Sequence, residues 1–334
     1  MNDGQWLDTP SFNGSHAPFK KWQPPGCMLH QYSASDISTC MNGRKVVLAG
    51  DSTTRQVFWS IARKLNSTAA RQAESSARRH ADQSFRSQGI ELEFIWDPFL
   101  NNSRTEEILA KHMDSQLLTR KDPRQSPALI LLGAGAWFAR WLGSEDSLAQ
   151  YASAISNVTT YRHHDVGILE AIRALQGSEL GDQIFLAPVP TPIYEQPDGP
   201  RKETIQQAEI EQMNDLLRDM GANSNVIWSY EALTKDQPQA TEFAGFHVRE
   251  SVADVKADII LNLRCNAELD LKRRFPFNWT CCSDMSRQIA YNSAFFYLQD
   301  SRRLPRLSAF YSAMKRTRPR RPAQPFSQQP YTAS

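Results

Sequence analysis

The stretch Lys45-Val46-Val47-Leu48-Ala49-Gly50-Asp51-Ser52-Thr53-Thr54-Arg55-Gln56-Val57-Phe58-Trp59 constrains this chain more than any other. A short apolar run between a basic residue and a glycine is the pattern of a strand buried on both faces. Gly50-Asp51-Ser52 ends it, and Val57, Phe58, Ile61, Ala62 and Leu65 follow at helical spacing. A strand that turns directly into a helix belongs to a parallel α/β sheet, and such sheets carry their sites at the carboxyl ends of the strands. Ser52 then lies where the first free N–H groups of a helix converge, an environment suited to a developing oxyanion. The same tripeptide also reads as a plain helix cap by Asp51 or Ser52, and the residues alone leave both readings open.

The rest of the chain extends the pattern. Residues 1–44, rich in Pro, Gly, Ser and aromatics, read as an irregular arm packed on the domain through Trp6, Phe19 and Trp22. Residues 66–89 read as a polar loop with a helical piece. Further strands are expected at 90–96, 128–132, 183–187 and 225–228, with helices at about 103–120, 146–176 and 201–220 and a last amphipathic helix carrying Val252, Val255, Ile259 and Leu263. Five strands alternating with helices predict one parallel sheet with helices on both faces, a domain spanning 45–300. Residues 301–334, with Arg302, Arg303, Lys315, Arg316, Arg318, Arg320 and Arg321 among prolines, read as a disordered basic tail.

Composition excludes more than it identifies. With 22% charged residues and a net charge of +2 the chain shows no nucleic-acid signature. It contains no apolar run of the ~18 residues that a membrane helix needs, and Met1-Asn2-Asp3-Gly4-Gln5-Trp6 lacks the pattern of a signal peptide. Cys27, Cys40, Cys265, Cys281 and Cys282 show no paired spacing for structural zinc, and no metal is expected. Asn-x-Ser/Thr triplets at Asn13, Asn66, Asn101, Asn157 and Asn278 are candidate glycosylation sites if the chain is secretory.

A serine nucleophile needs a base, and of the seven histidines His247 is best placed. It follows the last expected strand and precedes the last helix, which returns it to the sheet edge that carries Ser52. Gly133-Ala134-Gly135, after the third strand, reaches the same edge. Its small residues would let N–H groups approach a carbonyl, and they serve a tight turn equally well.

Gly50-Asp51-Ser52-Thr53-Thr54-Arg55-Gln56, a Gly-x-Gly-x-Trp after the third strand, and a late Gly-x-His followed by Glu-Ser-Val resemble the SGNH (GDSL-like, PC-esterase) domain. Together with Gly4-Gln5-Trp6, Trp22-Gln23-Pro24-Pro25-Gly26-Cys27-Met28 and Lys256-Ala257-Asp258-Ile259-Ile260-Leu261-Asn262-Leu263-Arg264-Cys265-Asn266, they resemble the luminal domain of fungal capsule-type polysaccharide O-acetyltransferases, related to sialate O-acetyltransferase. The resemblance implies a three-layer α/β/α, flavodoxin-like domain and a glycan O-acetyltransferase of the Golgi lumen, a glycoprotein of the secretory pathway. Ser52 would carry the acetyl group and His247 would act as base. The Ser52 N–H, Gly133 and Gly135 would hold the oxyanion, and Arg55 and Asp51 would line the site. It implies no bound cofactor, with an acetyl donor derived from acetyl-CoA as substrate, a carbohydrate acceptor, no nucleic acid, and a membrane acetyl-donor module supplied from outside this chain. The luminal setting also implies a Cys27–Cys40 disulfide. Such domains usually carry Asp-x-x-His, whereas here the aspartate position is Ala244, with Glu242 the nearest substitute. Loss of a triad aspartate can cost ~10⁴-fold in turnover. An O-acetyl esterase and a glycan-binding pseudoenzyme are the alternatives.

Overall fold

The computed structural model describes residues 4–8, 19–25, 28–117, 127–141, 144–164, 183–193, 205–219, 226–242 and 245–271. The expected tail 301–334, Ala244, Cys27, Cys281, Cys282, Asn13 and Asn278 lie outside the described residues.

A five-stranded sheet organises the domain. Its strands are β3 (Val46–Gly50), β4 (Gln83–Ser87), β5 (Ile90–Trp96), β6 (Leu129–Gly133) and β7 (Gln183–Leu186), β1 (Gln5–Trp6) and β2 (Trp22–Gln23) forming a separate antiparallel pair. The order is β4-β5-β3-β6-β7, with β5, β3, β6 and β7 parallel. The chain therefore reverses its direction of winding between β3 and β6, the switch point at which open α/β sheets form their crevice. In register, Gly50 lies opposite Gly133.

Every residue of β3 and β6 is buried. Val46, Leu48, Leu129 and Leu131 enter one apolar cluster, which is completed by α1 (Ala34–Met41), α2 (Ser52–Leu65) and α9 (Glu250–Leu271). Val47, Ala49, Ile130 and Leu132 enter the other, against α5 (Ala136–Trp141), α6 (Ser144–His164) and α7 (Gln207–Asp219). Alternate residues of one strand thus feed two cores, which makes the domain three layers. Helices α3 (Ser67–Ser76), α4 (Ser103–Leu117) and α8 (Ser229–Ala232) complete the elements used here. Among the described residues no helix is long and apolar enough to cross a membrane.

The sheet departs from the expected one in its fifth strand. Of the expected strand 225–228, the described residues 226–228 supply only an isolated parallel bridge, Leu186 to Val226, because Trp228 already turns the chain into α8. The fifth place is taken by β4, antiparallel to β5 and joined to it through Gln88 and Gly89, both at positive φ (52° and 75°). Two left-handed residues in a two-residue loop match the twist of a hairpin. Strand β4 buries only Phe85, as an edge strand can, so its polar sequence reads as loop. The sheet is mixed, not wholly parallel.

The arm is also less irregular than expected. Ser33 and Asp36 form a reciprocal capping box that starts α1, and Trp6, Phe19 and Trp22 are buried in the first cluster. Helix α9 carries the 256–266 motif and binds this arm along its length. The Asp258 carboxylate accepts from the Tyr32 N–H (3.0 Å) and Asn262 bonds both backbone groups of His30 (3.0 and 2.7 Å), while Arg264 Nε donates outside the arm, to the Ala128 carbonyl just before β6 (2.7 Å). Cys265 forms a disulfide with Cys40 on α1. The expected Cys27–Cys40 bridge is therefore corrected. Cys40 is the last-turn residue of a helix lying on α9, so its partner comes from 225 positions away and not from the adjoining loop.

Candidate active site

Strand β3 ends at Gly50, whose φ is 150° and whose missing Cβ would collide with the Gly133 carbonyl. That carbonyl accepts from the Asp51 N–H (3.2 Å) and the Thr54 hydroxyl (3.0 Å), which ties the turn to β6. Asp51 is the cap of α2, Oδ1 accepting from the Thr53 N–H (2.8 Å) and hydroxyl (2.6 Å). The capping role thus falls to Asp51, and Ser52, the first helical residue, is left with its hydroxyl free for other work. Among the described residues the buried Asp51 Oδ2 has no hydrogen-bond partner, and burial raises the Asp51 pKa. The positive charge of buried Lys256 opposes that rise.

His247 reaches this turn from the far end of the chain. Its Nε2 lies 2.8 Å from Ser52 Oγ. The loop that carries it is clamped by backbone bonds: Glu242 N–H to the His247 carbonyl (2.7 Å), Gly245 N–H to the Glu242 carbonyl (2.8 Å), and Ile193 N–H to the Gly245 carbonyl (2.8 Å). Gln56, one turn past Ser52 on α2, grips the next peptide from both sides, donating to the Val248 carbonyl (2.7 Å) and accepting from its N–H (3.2 Å). The serine helix therefore carries its own clamp for the histidine loop, a role the sequence reading did not assign to Gln56.

The expected Glu242 contact is not formed. The Glu242 side chain makes no hydrogen bond to the His247 ring, and only desolvation raises its pKa, with no contribution from a cation. What Glu242 supplies is the main-chain bond that closes the loop. Gly133 and Gly135 serve packing: a Cβ on Gly133 would strike the Thr54 hydroxyl, and one on Gly135 (φ 145°) the Val189 side chain. Neither lines the cavity at Ser52, whereas Ala136 and Trp137, immediately beyond them, do.

That cavity measures about 210 Å³ and is bordered by Ser52, Arg55, Arg79, His80, Ala136, Trp137, Arg140, Ile205, Phe246 and His247. It is smaller than the ~300–1,000 Å³ of pockets that enclose a whole drug-sized ligand, so it suits the reacting end of a larger substrate. Arg79, His80, Arg140 and Phe246 are additions of the structure. Of the glycosylation candidates, Asn66, Asn101 and Asn157 are exposed, although the Asn66 side chain also caps α3.

Residues 22–141 match the family model described as NXPE family member 4-like, C-terminal domain, a span that holds Ser52 and Trp137 but ends before His247. Over 265 residues the chain is 23% identical to the N-acetylneuraminate (7)9-O-acetyltransferase of Danio rerio, covering 78% of this chain and 30% of that protein. Over 100 residues it is 24% identical to the probable xylan O-acetyltransferase 10 of Oryza sativa subsp. japonica, covering 29% of this chain and 23% of that one. The chain thus spans less than a third of either relative. The crystal structure of the lipase/acylhydrolase from Enterococcus faecalis aligns with a TM-score of 0.36 at 18% identity, over 66% of this chain and 95% of its own.

Proposed function

We propose that this chain is an acyl-transfer domain that moves an acetyl group to a carbohydrate hydroxyl through Ser52. The observation that carries this reading is the 2.8 Å approach of His247 Nε2 to Ser52 Oγ at the first turn of α2. With the imidazole proton on Nδ1, Nε2 accepts the Ser52 hydroxyl proton as Oγ attacks the acetyl carbonyl. The oxyanion forms beside the Ser52 N–H, one of the helix-start donors without an intrahelical acceptor. His247 then passes its proton to the leaving group, which departs as acetyl-Ser52 forms. An acceptor hydroxyl loses its proton to His247, attacks the acyl carbon and frees Ser52.

The similarity to two carbohydrate O-acetyltransferases supports a glycan acceptor. The donor, derived from acetyl-CoA, is a substrate and not a bound cofactor, and a membrane acetyl-donor module delivers it. The Cys40–Cys265 bridge supports an oxidising compartment, in this reading the Golgi lumen, where exposed Asn66, Asn101 and Asn157 are open to glycosylation. The finer resemblance, to the fungal capsule-type enzymes, belongs to the same proposal. Ala244 brings no carboxylate to the Asp-x-x-His position, so turnover is weak. The same residue favours a second reading, a glycan-binding domain that has lost catalysis.

The test is turnover of a neutral activated acetyl ester, with and without acceptor glycan, by the parent, Ser52→Ala and Ala244→Asp. Acceptor-dependent transfer that requires Ser52 and rises in Ala244→Asp supports the proposal. Release of acetate without acceptor makes the domain an esterase. Rates indifferent to all three changes leave the binding domain.

A further inference from the structure

The cavity at Ser52 is bordered by three arginines. Arg55 lies one helical turn beyond Ser52 and so shares its face of α2. Its guanidinium sits 5.9 Å from the Trp96 ring centroid, within cation–π range. Nη1 is buried with no hydrogen-bond partner among the described residues. Neither Arg55 nor Arg79 forms an ion pair with a described carboxylate; Asp51 and Glu74 act on Arg55 only at a distance. Arg140 lines the same cavity and lies over Trp141 (4.8 Å).

These charges also act on each other. Burial first, then the charge of Arg79, pushes the Arg55 pKa down, and burial followed by Arg55, Arg79 and Arg140 pushes His80 down. Like charges gathered around one cavity oppose folding, and a buried N–H without an acceptor costs about 1–3 kcal/mol. A neutral acetyl ester and a neutral hydroxyl need none of this. A carboxylate or phosphate would meet it, because guanidinium groups bind such anions through paired, charge-assisted hydrogen bonds. Trp137, T-shaped against Trp96 (5.4 Å) and at 5.9 Å from Trp141, gives the cavity an aromatic side.

We propose that the cavity is an anion-recognition site: Arg55 and Arg79 hold a carboxylate or phosphate of the substrate while Ser52 and His247 hold its reacting end, with Arg140 lining the same cavity. The assignment rests on the acyl-transfer reading only for what lies beside the anion. A neutral His80 then serves as a hydrogen-bond partner for the substrate and adds no fourth charge.

Calorimetric titration of the full chain tests the site without turnover, so its outcome stays readable even if no ester is hydrolysed. The probes are a uronic-acid oligosaccharide, its uncharged methyl ester, and inorganic phosphate, each at low and at moderate salt. We expect the acid to bind at least tenfold more tightly than its methyl ester, the gap to narrow as salt rises, and Arg79→Gln and Arg55→Met each to close most of it. Phosphate binding tightly while acid and methyl ester bind alike would keep the site and assign its anion to the acetyl donor. Equal and weak binding of all three, or a gap indifferent to salt, would overturn the proposal. Arg79 is exposed, so its variant tests the idea even if Arg55→Met fails to fold.

Discussion

Ser52 is positioned by its immediate neighbours, Asp51, Thr53 and Thr54, and by a single carbonyl of the adjoining strand. His247 is positioned by backbone bonds from Ile193 and from its own loop, and by Gln56, which stands 192 residues from Val248. The nucleophile is thus a product of local sequence, and the base a product of tertiary assembly. The contrast teaches where each half can fail. The serine turn should survive damage to the distant scaffold, whereas the histidine loop depends on α2, the 190s loop and α9 holding together.

The largest expected effect breaks both halves equally. If Ser52 and His247 form one device, Ser52→Ala and His247→Ala should each lower the already weak acetyl-ester turnover on the order of 10²–10³-fold, with the double variant little worse than either. The measurement is initial rate against ester concentration, with unfolding curves to show that each variant is folded. Additive losses would mean that the two residues act independently.

Next comes the scaffold. Removing the Cys40–Cys265 bridge by Cys40→Ser with Cys265→Ser should cost about 2–5 kcal/mol in denaturant unfolding, because it frees a long loop in the unfolded chain. Under conditions where the variant is still folded, the Ser52–His247 approach should persist, because neither thiol touches it.

A smaller effect should divide the two halves. Gln56→Leu removes both bonds to the Val248 peptide and leaves the serine turn intact. We expect kcat to fall about 10–100-fold with a modest change in KM, the signature of a base held slightly out of place. Gln56→Glu, which can still accept from the Val248 N–H, should lose less. Equal behaviour of the two variants would show that the clamp does not set the histidine.

The same contrast explains what the sequence revealed. The β3–turn–α2 unit was legible because its apolar run, its turn and its helical spacing are contiguous, and His247 because the chain must return to that sheet edge. Strand β4 was not, since an edge strand needs only Phe85 inside and otherwise reads as polar loop. Residues 225–228 carry a strand's composition, yet the described part, 226–228, makes one bridge, because strand length depends on where the neighbour lies. Cys265 and the Arg79 and Arg140 side of the cavity were hidden for the same reason as Gln56: their partners come from other segments. Arg78-Arg79-His80 reads as a solvated run until the fold brings it opposite Trp137.

The smallest expected effect concerns the buried charge behind the serine turn. Lys256 on α9 is 6% exposed and lies 5.1 Å from the Tyr230 ring centroid, and burial pushes its pKa down to about 8 from 10.5. Asp51, raised by burial above its usual 3.8, is the nearby charge that counters this shift. The two run in opposite directions with pH. Between pH 3.8 and its raised folded value Asp51 binds more proton in the folded than in the unfolded chain, so its contribution falls as pH rises across that window. Between about pH 8 and 10.5 folded Lys256 has released a proton that the unfolded chain still binds, so stability should rise across that window. Tyr230, whose own pKa burial lifts well above 10, opposes this rise near pH 10, but it is present in parent and variant alike and enters both curves. Urea unfolding of the parent and of Lys256→Met at pH 7.5 and pH 10 should show their difference changing on the order of 1–3 kcal/mol, with the parent gaining and the variant not. Parallel curves would mean that Lys256 keeps its charge at pH 10, and that Asp51 holds it more firmly than its burial suggests. In that case Lys256 belongs with Ser52's own supports, and the serine turn depends on distant sequence after all.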